Sequence, residues 1–282
     1  MFAVTGASGQ LGRLVIESLL GKVAPGQIVA LVRNPESVAD FAAKGVTVRP
    51  FDYDAPETLP SSLAGVTRLL LISGNAIGSR VPQHRAVIDA AKAAGVALIA
   101  YTSLLRAQTS PMQMAVEHKA TEELLAASGV PHALLRNGWY TENYLMSAGP
   151  AIEHGVLIGS AGEGLVSGAA RADYAEAAAV VLARGEAGTF ELAGDSGFTH
   201  AELAAALAEA SGKPVAYQDL PQADYAKALE GAGLPGPFAA ILADSDARVA
   251  DGALFDDSKT LSGLIGRPTT PWRETIVAGV RG

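Results

Sequence analysis

The chain has 282 residues, 49% of them hydrophobic and 18% charged, with a net charge of −8 at neutral pH and no cysteine. That size supports a large core and reads as an ordinary globular protein, either one domain or one domain with a small lobe. The acidic balance and the lack of Lys/Arg-rich stretches argue against a nucleic-acid or anionic-membrane partner. The absence of cysteine removes disulfides, thiolate nucleophiles and zinc–cysteine sites.

No charged segment followed by a signal-type apolar core opens the sequence, and no apolar run approaches about 18 residues, so the expected location is the cytoplasm. Met1-Phe2-Ala3-Val4 predicts a strand over 2–5. It is followed at once by Thr5-Gly6-Ala7-Ser8-Gly9-Gln10-Leu11-Gly12 and a helix over 11–20. Strands are then expected over 27–32, 46–50, 68–73, 97–101 and 132–136, alternating with helices over 35–44, 57–64, 81–94 and 114–127. Such a βαβα rhythm predicts an α/β protein, a doubly wound parallel sheet of Rossmann type. Its ligand is expected at the carboxyl ends of the strands.

After Gly138 the rhythm changes. Residues 139–170 are rich in glycine and alanine and show no clear periodicity. A helix over 172–183, a strand over 189–193, a helix over 199–210 with a capping box at Thr199 and Glu202, and a strand over 214–220 follow. The expected division is a nucleotide-binding domain over 1–138 and a smaller α/β substrate lobe over 139–282, interwoven with the sheet.

Gly6, Gly9 and Gly12 form a glycine loop between a strand and a helix, the context in which such a loop binds a dinucleotide. Gly6 permits a tight turn, Gly9 lets a pyrophosphate approach the backbone, and Gly12 lets the helix pack closely. The N–H groups of the helix start then face the phosphates, which makes Gly6, Ala7, Ser8, Gly9, Gln10, Leu11 and Gly12 the expected pyrophosphate cradle. The second strand ends in Arg33-Asn34 and carries no carboxylate for a ribose 2′-hydroxyl. A guanidinium there suits a 2′-phosphate, so the expected cofactor is NADPH. Asp52 and Tyr53 after the third strand are candidates to flank the adenine. Ser73-Gly74-Asn75 closes the fourth strand and is a candidate for the cofactor ribose. Arg136-Asn137-Gly138-Trp139-Tyr140 closes the sixth strand, where the nicotinamide end is expected.

The Tyr-x-x-x-Lys pair that protonates alkoxides in typical short-chain dehydrogenases is absent. Tyr101, Tyr140 and Tyr225 are followed four residues on by Leu105, Tyr144 and Leu229. Carbonyl reduction needs a general acid, whereas a quinone accepts hydride to give a much weaker base. The gap therefore favours an easily reduced acceptor. Ser103, His118 and Tyr140 are the polar residues placed to assist: Ser103 by hydrogen-bonding a substrate oxygen, His118 by supplying a proton near neutral pH, and Tyr140 by stacking on a ring. Tyr140 and Asn143 are the expected substrate contacts. No His spacing suits a metal, no G-x-S-x-G elbow is present, and the glycine loop lacks the Lys-Ser/Thr ending of an ATPase loop.

Five segments carry a family resemblance: 5–12, Ile28 to Pro35, Ile99-Ala100-Tyr101-Thr102-Ser103-Leu104-Leu105, Leu134 to Tyr140, and Leu254-Phe255-Asp256-Asp257-Ser258-Lys259-Thr260-Leu261. On these the chain resembles the atypical short-chain dehydrogenases of the NmrA-like group, and within it the bacterial NADPH-dependent quinone oxidoreductases, with triphenylmethane-dye reductase as a cousin. The resemblance implies the pyrophosphate on Gly6 to Leu11 and the 2′-phosphate by Arg33. It implies the nicotinamide half near Ser73–Asn75 and near Asn137, Gly138, Trp139, Tyr140, Thr141 and Glu142. A lysine used by isoflavone-reductase-like relatives falls on His118 here, which leaves the proton donor open between a side chain and solvent. The implied activity is two-electron reduction of a quinone to a hydroquinone. Alternatives are a nucleotide-binding redox sensor of NmrA type and a reductase of another conjugated acceptor such as a dye. The expected partners are a small-molecule quinone and, as a homodimer, a second copy of the chain.

Overall fold

A computed structural model describes residues 1–281. The strands are β1 (Phe2–Val4), β2 (Ile28–Val32), β3 (Thr47–Pro50), β4 (Arg68–Leu71), β5 (Leu98–Leu104), β6 (His132–Asn137), β7 (Val156–Gly159), β8 (Gly188–Leu192) and β9 (Ala216–Asp219). The helices of the first half are α1 (Gln10–Leu20), α2 (Ala39–Ala43), α3 (Leu59–Ser62), α4 (Arg80–Ala93) and α5 (Ala115–Ser128). They are followed by α6 (Leu145–His154), α7 (Arg171–Arg184), α8 (His200–Ser211), α9 (Gln222–Gly231), α10 (Gly236–Ala247), α11 (Thr260–Ile265) and α12 (Trp272–Arg281).

Seven strands form one sheet in the order β3-β2-β1-β4-β5-β6-β8, and β7 and β9 pair in parallel as a second, two-stranded sheet. The pairs β2–β3, β1–β2, β1–β4, β4–β5 and β5–β6 are parallel. This is the doubly wound α/β architecture. Every residue of β2 and of β5 is buried, as strands covered on both faces by helices require. One core cluster gathers Leu31, Leu69, Leu71, Val87, Ile88, Ile99 and Tyr101. The strand order reverses between β1 and β4, so the topological switch point lies at their carboxyl ends.

Two compact units divide the chain. The first comprises Met1–Leu104, Glu117–Asn137 and Arg171–Phe190; the second comprises Leu105–Val116, Gly138–Ala170 and the chain from Glu191 on. The segment 105–116 thus joins the second unit and 171–190 the first.

Within the first unit, Arg68 Nη1 caps the last carbonyls of α7, Leu182 and Ala183, each at 2.6 Å. Within the second, the segment 139–170 does carry regular structure: a 3-10 turn at Thr141–Tyr144, then α6 and β7. Pro150 lies inside α6 and interrupts its pattern in the sequence. The capping box at Thr199 is formed, with Glu202 N donating to Thr199 Oγ1 at 3.1 Å and Thr199 N to Glu202 Oε2 at 2.8 Å. Among the described residues no helix is long and apolar enough to cross a membrane.

Candidate cofactor site

The glycine loop links β1 to α1 in the first unit, and its three glycines do three different things. Gly6 takes a left-handed conformation at φ +56°, which a side chain would strain. A Cβ on Gly12 would lie 2.8 Å from Ala7 Cα, so only glycine lets α1 start this close to the loop. Gly9 is the N-cap of α1 in extended conformation and no side chain caps the helix. The first-turn N–H groups are thus left for a ligand, where the helix dipole favours an anion. Ser8, Gly9 and Gln10 are exposed. A cradle this tight in backbone and open at the helix start fits a dinucleotide pyrophosphate.

Arg33 stands exposed at the end of β2, and no carboxylate pairs with it among the described residues. Sequence reasoning missed a second arginine in this neighbourhood. Arg13, in the first turn of α1, reaches Asp40 at 2.5 Å and Ser37 O at 3.3 Å, and lies 4.6 Å over the Phe41 ring. Its guanidinium holds the exposed Asp40 carboxyl below the usual range.

Thr5 and Tyr53 tie the ends of β1 and β4 together. Ile72 N donates to Thr5 Oγ1 at 2.8 Å, and Tyr53 Oη lies 2.8 Å from both Thr5 Oγ1 and Ile72 O. Burial raises the Tyr53 phenol well above its ordinary value. Tyr53 is thus a partly buried tie between the strand ends. Asp52 closes a local turn by accepting from Asp54 N at 3.1 Å. Ser73 N donates to Thr102 Oγ1 at 2.8 Å, and Gly74 and Asn75 follow it out of the sheet.

The expected catalytic pair in this unit is engaged in the interior. Ser103 is 5% exposed and its hydroxyl donates to Glu122 Oε1 at 2.6 Å. Glu122 in turn takes a forked pair from Arg136, 2.9 Å from Nε and 2.7 Å from Nη2. His118 lies in α5 with Nδ1 2.8 Å from Tyr101 Oη. Burial, with lesser contributions from the Arg80 charge and His84, holds its imidazole down to about 3. A ring held neutral at pH 7 carries no imidazolium proton to donate. The Ser103 hydroxyl proton is engaged by the buried Glu122 carboxylate. Lys119 beside His118 is exposed.

Asn137 ends β6 in the first unit and is buried. In the second unit, Gly138 N donates to Leu192 O at 2.7 Å. Ala169 N donates to Trp139 O at 3.1 Å, and Thr141 N to Ala169 O at 3.0 Å. These bonds fix the backbone of 138–141, and Asn143 N donates to Tyr140 O at 3.0 Å. Tyr140, Glu142 and Asn143 are partly exposed and Thr141 is buried. Among the described residues no group of three or more His, Asp or Glu is placed to hold a metal ion.

The buried stripe of α4 carries residues that the sequence did not single out. Arg80, Gln83, His84, Val87, Ile88 and Ala91 face inward. The stripe is apolar in its second half and polar in its first turn, and polar groups at core positions signal polar partners inside.

The sequence model of the NAD(P)H-binding family matches residues 6–185. The chain is 57% identical to quinone oxidoreductase 2 of Escherichia coli (strain K12) over 278 residues, covering 98% of this chain and 97% of that protein. It is similar to the crystal structure of the E. coli NADPH-dependent quinone oxidoreductase complexed with NADPH, with TM-score 0.96, 56% identity and 99% of each chain covered. It is also similar to the Citrobacter sp. triphenylmethane reductase complexed with NADP(H), with TM-score 0.92, 39% identity, 99% of this chain and 100% of that one covered. The chain therefore belongs to the NAD(P)H-binding family, as a homologue of quinone oxidoreductase 2.

Proposed function

We propose that the protein is an NADPH-dependent quinone oxidoreductase that reduces a quinone to its hydroquinone in one two-electron step. The observation that carries this reading is the 57% identity to quinone oxidoreductase 2 over 98% of the chain. The bound cofactor supplies a hydride, and the rest of the chemistry belongs to the protein's own groups.

In this reading Gly6 to Gly12 and the start of α1 hold the pyrophosphate, and Arg33 takes the 2′-phosphate. Ser73 to Asn75 and Asn137 to Glu142 line the nicotinamide half, with Tyr140 and Asn143 toward the quinone. The quinone gains a hydride and needs one further proton to reach the hydroquinone. Neither His84 nor His118 is charged at neutral pH, since burial holds both to about 3. Solvent therefore supplies that proton, which the weakly basic hydroquinone anion allows. A two-electron step avoids releasing quinone radicals, so the role is protective, in the cytoplasm.

The test is anaerobic turnover of NADPH with a benzoquinone, followed by NADPH absorbance and by electron paramagnetic resonance. The reading predicts loss of NADPH and quinone in equal amounts with no radical signal. Tight NADPH binding without turnover of quinones or conjugated dyes would replace it with the sensor reading. A stoichiometric radical would exclude the two-electron step.

A further inference from the structure

Past β4 the chain leaves the sheet at the switch point, beside the end of β1. Gly74 has no strand partner there, yet both of its backbone polar groups are held by side chains of a single helix. Its N–H donates to His84 Nε2 at 3.2 Å, and its carbonyl accepts from Arg80 Nε at 2.8 Å. Residues four apart sit on one helix face, so Arg80 and His84 grip the same residue from adjacent turns of α4.

The grip is itself braced. A backbone N–H only donates, so His84 Nε2 accepts and the ring proton sits on Nδ1. Nδ1 faces Thr121 Oγ1 at 3.0 Å, and Thr121 Oγ1 donates to Glu117 O at 2.8 Å. Glu117 closes the frame, with Oε1 accepting from Gly78 N at 3.0 Å and Oε2 3.6 Å from Arg80 Nη1. His84 is 0% and Arg80 8% exposed. Apolar residues continuing the stripe of Val87, Ile88 and Ala91 would fill these positions without burying polar groups, but would leave the loop unheld.

Gly74 lies where a dinucleotide crosses the switch point, on the β4 side of the crevice and away from Arg33 at the end of β2. We propose that Arg80 and His84 are positioning residues: they fix the Gly74 peptide against the nicotinamide-ribose half of NADPH, so that the hydride donor is held in one pose. The proposal rests on the cofactor reading above. It assigns the pair no contact with the reacting atoms.

The test compares binding of NADPH with binding of adenosine 2′,5′-bisphosphate, which carries only the adenosine half, by titration calorimetry. The variants are His84→Ala, His84→Gln and Arg80→Met. His84→Ala is expected to weaken NADPH about tenfold, the loss of one buried hydrogen bond, and to leave the bisphosphate unchanged. His84→Gln offers an amide oxygen to the same N–H and is expected to restore NADPH affinity. Arg80→Met frees the other end of the peptide and is expected to repeat the selective loss. Unchanged NADPH affinity in His84→Ala and Arg80→Met overturns the proposal, as does failure of His84→Gln to restore it. Equal weakening of both ligands in both loss variants shows a merely structural role and also overturns it. A wild-type chain that binds neither ligand removes the cofactor reading, and the proposal falls with it. A chain that binds the bisphosphate but gains nothing from the nicotinamide half removes the proposal alone.

Discussion

His118 shows how a residue's surroundings decide what it can do. On the sequence alone it is an imidazole in the helix after β5, available for proton transfer. In the structure it is 9% exposed, bonded to Tyr101, and depressed to about 3 by burial. His118→Ala is expected to lower stability by about 1–3 kcal/mol through the lost bond to the Tyr101 phenol and the space the ring vacates. The shape of the kcat–pH profile between about pH 5 and 8 should not change. A limb that disappears from that profile in the variant would reinstate His118 as a proton donor. The glycines of the loop were readable in the sequence because left-handed φ and close helix approach admit almost no other residue. Arg80 and His84 were not, because a polar residue on a helix looks the same in sequence whether it meets water or a glycine peptide. The polar first turn of an otherwise apolar i, i+3, i+4, i+7 stripe was the one signal available.

At the scale of elements, the joint between β5, α5 and β6 depends on one carboxylate. Glu122 is 3% exposed and takes hydrogen bonds from Ser103 and Arg136 together. Replacing it takes away the carboxylate that Ser103 and the partly buried Arg136 guanidinium share, a loss on the order of 3–5 kcal/mol. Glu122→Ala should therefore lower the urea midpoint sharply, and a loss below about 1 kcal/mol would show that the triad is not a structural joint. The βα repeats of the first half were legible because continuous apolar runs such as Leu98–Leu104 leave little choice but a buried strand. The helix Leu145–His154 was not, because Gly149 and Pro150 break its pattern while its neighbours keep it folded. The same limit applies to the division of the chain, since the return of 171–190 to the first unit depends on contacts far apart in sequence.

For the whole molecule, two buried neutral histidines make acid a specific stress. His84 and His118 are both held to about 3, chiefly by burial, against about 6.5 in an unfolded chain. Below pH about 6.5 the unfolded state takes up protons that the folded state refuses. Stability is then full above that pH and falls as pH drops toward 3, by up to about 1.4 kcal/mol per pH unit for each histidine. Urea midpoints should fall between about pH 6.5 and 5, above the range where carboxylates titrate, and His118→Ala should flatten that slope. A midpoint that stays level over this interval would mean the rings are charged in the fold. The central claim, hydride delivery from NADPH to a quinone, is tested most directly by quinone reduction with NADPH and NADH side by side, in the wild type and in Arg33→Ala. The account predicts fast turnover with NADPH, a loss of about 1.5–3 kcal/mol in kcat/KM for NADPH in the variant, and little change with NADH. Equal rates with both cofactors, or equal losses in Arg33→Ala, would contradict it.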